Sequence, residues 1–160
     1  MLRDVLNAAG IYNILAFYDS VKTAAQCDNV QVLIFSTYRG RSYALPFTPG
    51  RDSSTRFLES AVIFDQYQNG NELKTGTIIH EMLHLYGAWD IYRAFEQSEG
   101  QRIPGDGLFL HSIMKDSHDQ DLNDLRIDLI TQWLIGWSDK YYTWFEYYLP
   151  DRLKDSNGQL

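Results

Sequence analysis

Cysteine is almost absent from this chain of 160 residues, and long apolar runs are missing altogether. The one cysteine, Cys27, has no cysteine partner, which excludes an intrachain disulfide and leaves the redox compartment open. No run approaches the ~20 apolar residues of a membrane-spanning helix, so no membrane insertion is predicted. The first residues, Met1 to Asp4, do not lead into a sustained apolar stretch, so no signal peptide is predicted either.

Positive charge is also scarce. Lys and Arg total 14 against 21 for Asp and Glu, which gives a formal net charge of −7. Such a surface repels phosphates, and this argues against nucleic acid as a partner. The hydrophobic fraction of 44% and the charged fraction of 22% are those of an ordinary globular protein. The length predicts one domain over residues 1–160 with a real core.

Hydrophobic periodicity predicts an α+β fold with a small twisted sheet. Strands are predicted where β-branched and aromatic residues cluster, at 30–35, 42–47 and 61–65. Arg39 and Gly40 predict a hairpin turn between the first two strands. Helices are predicted where apolar residues recur at helical spacing, at about 11–26, from near Thr75, and at about 122–137. Segments 48–56 and 96–109 are predicted loops.

Two of the helices and the tail carry further expectations. The apolar stripe of the helix from Thr75 is expected to pack on the sheet through Ile78, Ile79, Met82 and Leu83. In the later helix, Asp121 is expected to cap the N-terminus and Gly136 to lie near the end. The tail from Tyr141 to Tyr148 is densely aromatic, and its rings are expected to pack on the domain rather than to bind a partner.

The helix from Thr75 contains the sequence His80-Glu81-Met82-Leu83-His84. Histidines four residues apart stand one turn apart on the same helix face, where two imidazoles can bind one metal ion, usually zinc. Glu81 follows the first histidine and is placed to take a proton from a metal-bound water. The simpler interpretation is two histidines on a solvated helix face, and the residues after the motif argue against it.

Those residues are Gly87, three positions after His84, and Asp90, three positions further on. Glycine enters the left-handed conformation without steric penalty, so Gly87 can end the helix and turn the chain. Asp90 then offers an oxygen ligand where the returning chain could meet the metal. Three protein ligands with a fourth position for water form the arrangement of catalytic zinc.

The pattern HExxHxxGxxD resembles the long zinc motif of metzincin peptidases, whose usual third ligand is His. The Asp form is most similar to the snapalysin group of small bacterial neutral proteases. Ser112-Ile113-Met114 resembles the Met-turn of that clan, whose methionine lies beneath the zinc site. The resemblance implies a zincin-like fold with an active-site helix, a Met-turn and a C-terminal closing helix. Metzincins usually begin with a strand, and none is predicted here before residue 30.

The same resemblance implies a zinc-dependent endopeptidase in which His80, His84 and Asp90 hold Zn²⁺ and Glu81 is the general base. Met114 would form a hydrophobic floor without ligating the metal. The implied organisation is an N-terminal subdomain (about 1–88) and a C-terminal subdomain (about 89–160) with the zinc cleft between them. Protein or peptide substrates, a monomer and secretion are the corresponding expectations, the last without a signal peptide in this sequence.

Two other ligand sets remain open. His111 or His118 could complete a three-histidine site, with Asp90 orienting one of the ligand histidines instead of binding the metal. Glu96 or Glu99 could provide a glutamate ligand of thermolysin type if a second helix returned to the metal.

The source of a hydrogen bond to the developing oxyanion is also open. Some metzincins carry a tyrosine two residues after the Met-turn methionine, and here that position is Asp116. Tyr92, His118 and Tyr86 are the candidates for this donor. Two alternative functions remain as well: a non-catalytic zinc- or peptide-binding protein of the same fold, and a hydrolase acting on a non-peptide amide. Glu81 argues against the first, because a pure binding module needs no general base.

Overall fold

The computed structural model describes residues 2–46, 59–92, 107–118 and 120–149. Its helices and strands follow one another as α1 (Leu2–Ala8), α2 (Ile14–Ala25), β1 (Val32–Arg39), β2 (Tyr43–Leu45), β3 (Ser60–Gln66), α3 (Thr75–Leu85), α4 (Ile113–Asp116), α5 (Leu129–Leu134) and a final 3-10 helix (Thr143–Tyr147). The protein is therefore α+β, as the sequence predicts. Within these ranges, no helix is long and apolar enough to cross a membrane. The predicted loop at 48–56 and most of that at 96–109 lie outside the described residues.

The three strands form one mixed sheet in the order β1-β3-β2. β1 pairs with β3 in parallel, from Val32 opposite Ser60 onward, and β2 pairs with β3 in the antiparallel direction. The predicted hairpin between β1 and β2 at Arg39 and Gly40 is therefore wrong. The first four residues of β3 are all buried, and a strand covered on both faces belongs in the middle of a sheet. The short β2 takes an edge instead.

Helix α3 lies between two apolar clusters. One cluster joins it to the sheet through Leu85 and Ile78, which pack with Ala61 and Ile63 of β3. The other joins it to the C-terminal half of the chain, and its fully buried members include Phe109, Met114, Ile130 and Phe145. Ile79 and Leu83 belong to this second cluster, so the prediction that the whole apolar stripe packs on the sheet is only partly right. A helix covered on two sides is held firmly, which suits it to carry a site.

The closing helix α5 begins at Leu129 and not at residue 122. Its N-cap is Asp128, whose carboxylate accepts hydrogen bonds from the Thr131 backbone N–H (2.9 Å) and hydroxyl (2.7 Å). The predicted cap, Asp121, instead lies 3.5 Å from the Lys74 ammonium. Leu125 and Ile127 gave the earlier start its helical spacing, and they pack on the core from a non-helical segment. Gly136 follows the helix with a positive φ of 75°, as expected near a helix end.

The aromatic tail packs on the domain, as predicted. Phe145 is fully buried and Tyr148 is nearly so, and both belong to the second cluster. Phe109 and Trp144 contact the Tyr148 ring edge-on, with ring centroids 5.0 and 6.0 Å away. Tyr147 points to solvent. The tail thus closes the core beneath α3 and α4.

Candidate metal centre

The end of α3 is a Schellman motif built on Gly87. The Gly87 N–H donates to the His84 carbonyl (3.1 Å) and the Ala88 N–H donates to the Leu83 carbonyl (3.0 Å). Gly87 has a φ of 97°, in the left-handed region that glycine enters without a Cβ penalty. The prediction that Gly87 ends the helix and turns the chain is confirmed. The turn brings Asp90 back toward the last turn of α3.

Backbone carbonyls fix the orientation of both histidine rings. The Nδ1 of His80 donates to the Ile113 carbonyl (3.0 Å), and the Nδ1 of His84 donates to the Ala88 carbonyl (2.9 Å). A carbonyl oxygen can only accept, so each Nδ1 carries a proton and each neutral ring has its lone pair on Nε2. The two rings meet edge-on with centroids 4.7 Å apart, and their Nε2 atoms are 3.2 Å apart. Both lone pairs therefore point into one small volume.

Asp90 completes a triangle of three electron-pair donors. Its Oδ1 lies 3.2 Å from His80 Nε2 and 3.0 Å from His84 Nε2. We call His80, His84 and Asp90 the histidine–aspartate cluster. His80 and Asp90 are buried, at 4% and 6% exposure, so water cannot screen their lone pairs well. Three converging acceptors repel one another unless a positive charge lies among them, either a proton or a metal ion.

The electrostatics of the cluster fit this requirement for a cation. Burial would raise the pKa of Asp90, but a hydrogen bond from His80 or His84, made when that ring also carries a proton on Nε2, and the positive charge of that ring outweigh burial and hold the pKa far below its ordinary value. Burial would lower the pKa of His84, but the hydrogen bond and charge of Asp90 outweigh it and raise the pKa. Without a metal, a proton on His84 provides the positive charge that the cluster needs.

Glu81 lies beside the cluster. Ligand atoms of His80, Glu81 and His84 all fall within 4.8 Å of one another, so this group could hold a metal ion. Burial raises the pKa of the Glu81 carboxyl, and the nearby His80 and His84 oppose the rise in part. A carboxylate made more basic in this way is suited to accept a proton.

The cluster opens into a cavity of about 820 Å³. Residues from five parts of the chain line it: the segment that contains β2, the loop after β3, helix α3, the turn that contains Asp90, and His118 after α4. Tyr67 from the loop after β3 holds the first turn of α3, since its hydroxyl lies 2.7 Å from Thr77 Oγ1. The group that could hold a metal ion is thus at the wall of a cleft large enough for several residues of a ligand.

Met114 lies in the apolar core. It is fully buried in α4, in the cluster of side chains that includes Leu83 of α3. The Ser112 hydroxyl caps α4, accepting from Met114 N at 3.2 Å and donating to Asp128 at 2.7 Å. This places the Ile113 carbonyl against His80. Met114 is therefore a residue of the apolar core, and its role as a floor beneath a metal stays a prediction.

The other candidate ligands and oxyanion donors differ in whether they line the cavity. His118 and Tyr92 line the cavity, whereas Tyr86 does not and is 57% exposed. The His118 ring centroid is 6.5 Å from that of His80, and its Nδ1 lies 2.9 Å from Ser117 Oγ. His111 is hydrogen-bonded to Gln120 outside the cavity lining, so it does not complete a three-histidine set. Glu96 and Glu99 lie outside the described residues.

Sequence reasoning missed three contributions to the site. The carbonyls of Ile113 and Ala88 orient the histidines, but a sequence motif shows side chains and not the partners of a ring nitrogen. Arg41 lines the cavity, and it was missed because the predicted hairpin put the β2 segment beside β1 and away from α3.

Comparison with known proteins adds no family to this geometry. A scan against protein-family models, a search of curated proteins and a search of solved structures each returned no match.

Proposed function

We propose that the protein is a zinc-dependent endopeptidase, in which the histidine–aspartate cluster holds Zn²⁺ and Glu81 is the general base. The observation that carries the proposal is the triangle of His80 Nε2, His84 Nε2 and Asp90 Oδ1, with sides of 3.0 to 3.2 Å. Tetrahedral zinc with bonds of about 2.0–2.1 Å needs ligand atoms about 3.3 Å apart. The three atoms fit zinc with only a small outward movement.

The order of features along the chain supports the metzincin resemblance on which the proposal draws. The histidine helix, the glycine turn, Asp90 and the Ser112–Met114 turn meet at the histidine–aspartate cluster. The Met-turn segment does so through a specific contact, the hydrogen bond from His80 to the Ile113 carbonyl. Carbonyl partners of this kind raise the basicity of ligand histidines and fix the metal-binding tautomer.

Glu81 supplies the proton-transfer function. When bound, zinc would act as a Lewis acid and lower the pKa of its water toward ~7. The Glu81 carboxylate lines the same cavity, and burial raises its pKa. It accepts the proton of the attacking water and delivers it to the leaving amine, so that hydrolysis needs no other base. Glu81 and His80 are successive residues of the helix, so their side chains project about 100° apart. Glu81 can therefore act as the base while His80 belongs to the metal-binding set.

The edge strand β2 supports an extended peptide as the substrate. Tyr43 and Ala44 of β2 line the cavity that contains Glu81 and His84. In the described sheet β2 pairs with β3 on one side only. A peptide added beside such an edge forms backbone hydrogen bonds whatever its side chains are. This arrangement favours a peptide over a compact non-peptide amide.

Tyr92 is the proposed hydrogen-bond donor to the developing oxyanion. It follows Asp90 by two residues, so the turn that delivers the aspartate also places the phenol in the cavity wall. Its oxygen lies 3.4 Å from Arg41 Nη2, which holds the side chain in place. Donors of this kind typically contribute about 10²–10³ to the rate.

The test is hydrolysis of unfolded casein and a peptide library by wild type, by the Glu81→Gln variant and by chelated protein. We expect zinc-loaded wild type to cleave, chelation to abolish cleavage, and Glu81→Gln to be slower by at least ~10² with normal zinc content. Equal rates for wild type and Glu81→Gln would remove Glu81 from the mechanism.

The two alternative functions give different results in the same assay. A zinc-loaded protein that binds peptides but cleaves none would be a binding module of the same fold. Cleavage of simple amides without cleavage of peptides would instead indicate a non-peptide amidase.

A further inference from the structure

Arg41 lies in the cavity wall, two residues before the edge strand β2. Residues 40–44 line the cavity together with His80, Glu81 and Asp90. Of the described residues that line it, Arg41 alone is a lysine or arginine. Its charge also acts on the Glu81 carboxyl, whose pKa it lowers in part. The guanidinium is therefore within electrostatic reach of the proposed reacting centre.

Among the described residues, none neutralises the charge of Arg41. Asp and Glu exceed Lys and Arg by seven in this chain, yet no carboxylate of the described residues forms an ion pair with Arg41. Its one hydrogen bond within those residues is from Nη2 to the Tyr92 oxygen at 3.4 Å. A guanidinium has five N–H donors in a planar fork that matches a carboxylate. Most of these donors are not used by the described residues.

Arg39, two residues before Arg41, uses its guanidinium for contacts within the protein. Its Nε donates to the Gln66 side-chain oxygen at 3.1 Å, and its guanidinium packs within 3.3 Å of the position that a Cβ on Gly70 would occupy. Arg39 does not line the cavity. Arg39 therefore connects β1 to β3 and the following turn, whereas Arg41 lines the cavity and makes one hydrogen bond within the described residues.

We propose that Arg41 is a specificity-determining residue that binds a carboxylate of the substrate, so that the protein selects peptides with an acidic group near the cleavage site. This inference rests on the proposed function for the identity of the substrate and deepens it. The carboxylate can belong to an Asp or Glu side chain or to the C-terminus of the peptide. Tyr92 positions the guanidinium for this contact.

The experiment measures peptide binding to zinc-loaded Glu81→Gln protein, which retains the cleft without rapid turnover. Fluorescent extended peptides with a C-terminal amide carry Glu, Gln or Lys at each position in turn, and a second set carries a free C-terminal carboxylate. Dissociation constants come from fluorescence anisotropy. We expect one position, or the free C-terminus, at which the carboxylate peptide binds about tenfold tighter than the neutral peptide.

Arginine variants in the same background assign the preference. In the Arg41→Gln variant, the ratio of the dissociation constants of the neutral and the carboxylate peptide should fall to about one. In the Arg41→Glu variant, the peptide with Lys at that position should bind more tightly than the others. Arg39→Gln is the matched control and should keep the full ratio. Added salt should shrink the ratio, because part of the contact is screened. Thermal melts compare the folds of the three variants.

Two results would overturn the inference: equal binding of carboxylate and neutral peptides at every position, or a preference that survives in Arg41→Gln. A complete lack of peptide binding would overturn it too. Its failure is distinguishable from failure of the proposed function. Cleavage of neutral and acidic peptides alike by wild type would leave the peptidase intact and remove the subsite. Arg41-dependent binding without any cleavage by wild type would keep the carboxylate subsite and remove the peptidase.

Discussion

Zinc binding should weaken steeply as the pH falls, because the metal must displace a proton from the histidine–aspartate cluster. The pKa of His84 is raised by Asp90, whose own pKa is held far below its ordinary value. At mildly acidic pH the cluster therefore holds a protonated His84 and an ionised Asp90. The Nδ1 protons that His80 and His84 donate to carbonyls stay in place when the metal binds. The structure thus assigns to His84 one proton that must leave.

The direction and the size of the pH effect on zinc affinity follow from the proton on His84. A raised pKa means that His84 keeps its proton to a higher pH than an ordinary histidine, so full affinity is reached only above that pKa. Below it, loss of one proton per metal weakens binding by about tenfold per pH unit, or about 1.4 kcal/mol. Two pH units in this range then cost about a hundredfold in affinity.

The variant that isolates the cause is Asp90→Asn, which keeps the shape of the side chain and removes its charge. Without that charge, burial becomes the main influence on His84 and lowers its pKa. The steep part of the pH profile should therefore move to lower pH. Affinity at high pH should fall as well, because an anionic ligand has been lost.

The assay is competition with a chromophoric zinc chelator between about pH 5 and about pH 8, where histidines titrate. Calorimetry in buffers of different ionisation enthalpy counts the released protons directly. A zinc affinity that does not change over this range would refute the reasoning. An Asp90→Asn profile identical to that of wild type would show that Asp90 does not control His84.

Three further substitutions test other parts of the structure. Met114→Ala should lower the free energy of unfolding by about 2–5 kcal/mol in urea, because the side chain is fully buried, while folded protein keeps its zinc. Gly76→Ala should destabilise by about 1–3 kcal/mol despite alanine's higher helix propensity, since the new Cβ would lie 2.9 Å from the Ser117 carbonyl oxygen; Gly107→Ala, where a Cβ meets no atom within 4 Å, is the control. Tyr92→Phe should lower kcat by at least ~10-fold and Tyr86→Phe should not, so equal kcat values for the two variants would remove Tyr92 as the oxyanion donor.

The local parts of the site could be predicted from the sequence. The helix from Thr75 shows in its periodicity, and the spacing of His80 and His84 fixes their shared face. Gly87 predicts a turn at the end of the helix, because few other residues accept a φ of 97°. These features depend on contacts between residues that are close in the chain.

The parts that failed depend on distant contacts. The order β1-β3-β2 requires residues about twenty-eight positions apart to pair in parallel, which no local pattern encodes. The start of α5 was missed because Leu125 and Ile127 have helical spacing although they pack from a non-helical segment. The carbonyl partners of the histidines were missed for the same reason, since Ile113 lies thirty-three residues from His80.

The central claim is that His80, His84 and Asp90 hold zinc. Crystals of protein purified without added chelator should show an anomalous peak at the zinc absorption edge, bonded to the three side chains at about 2.0–2.2 Å. Two histidines and one carboxylate also suit iron(II), so data on both sides of the iron edge complete the identification. One zinc per chain, lost from His80→Ala and His84→Ala protein, is the expected result. A peak at the iron edge alone, a metal bound elsewhere, or full zinc retention by both variants would contradict the account.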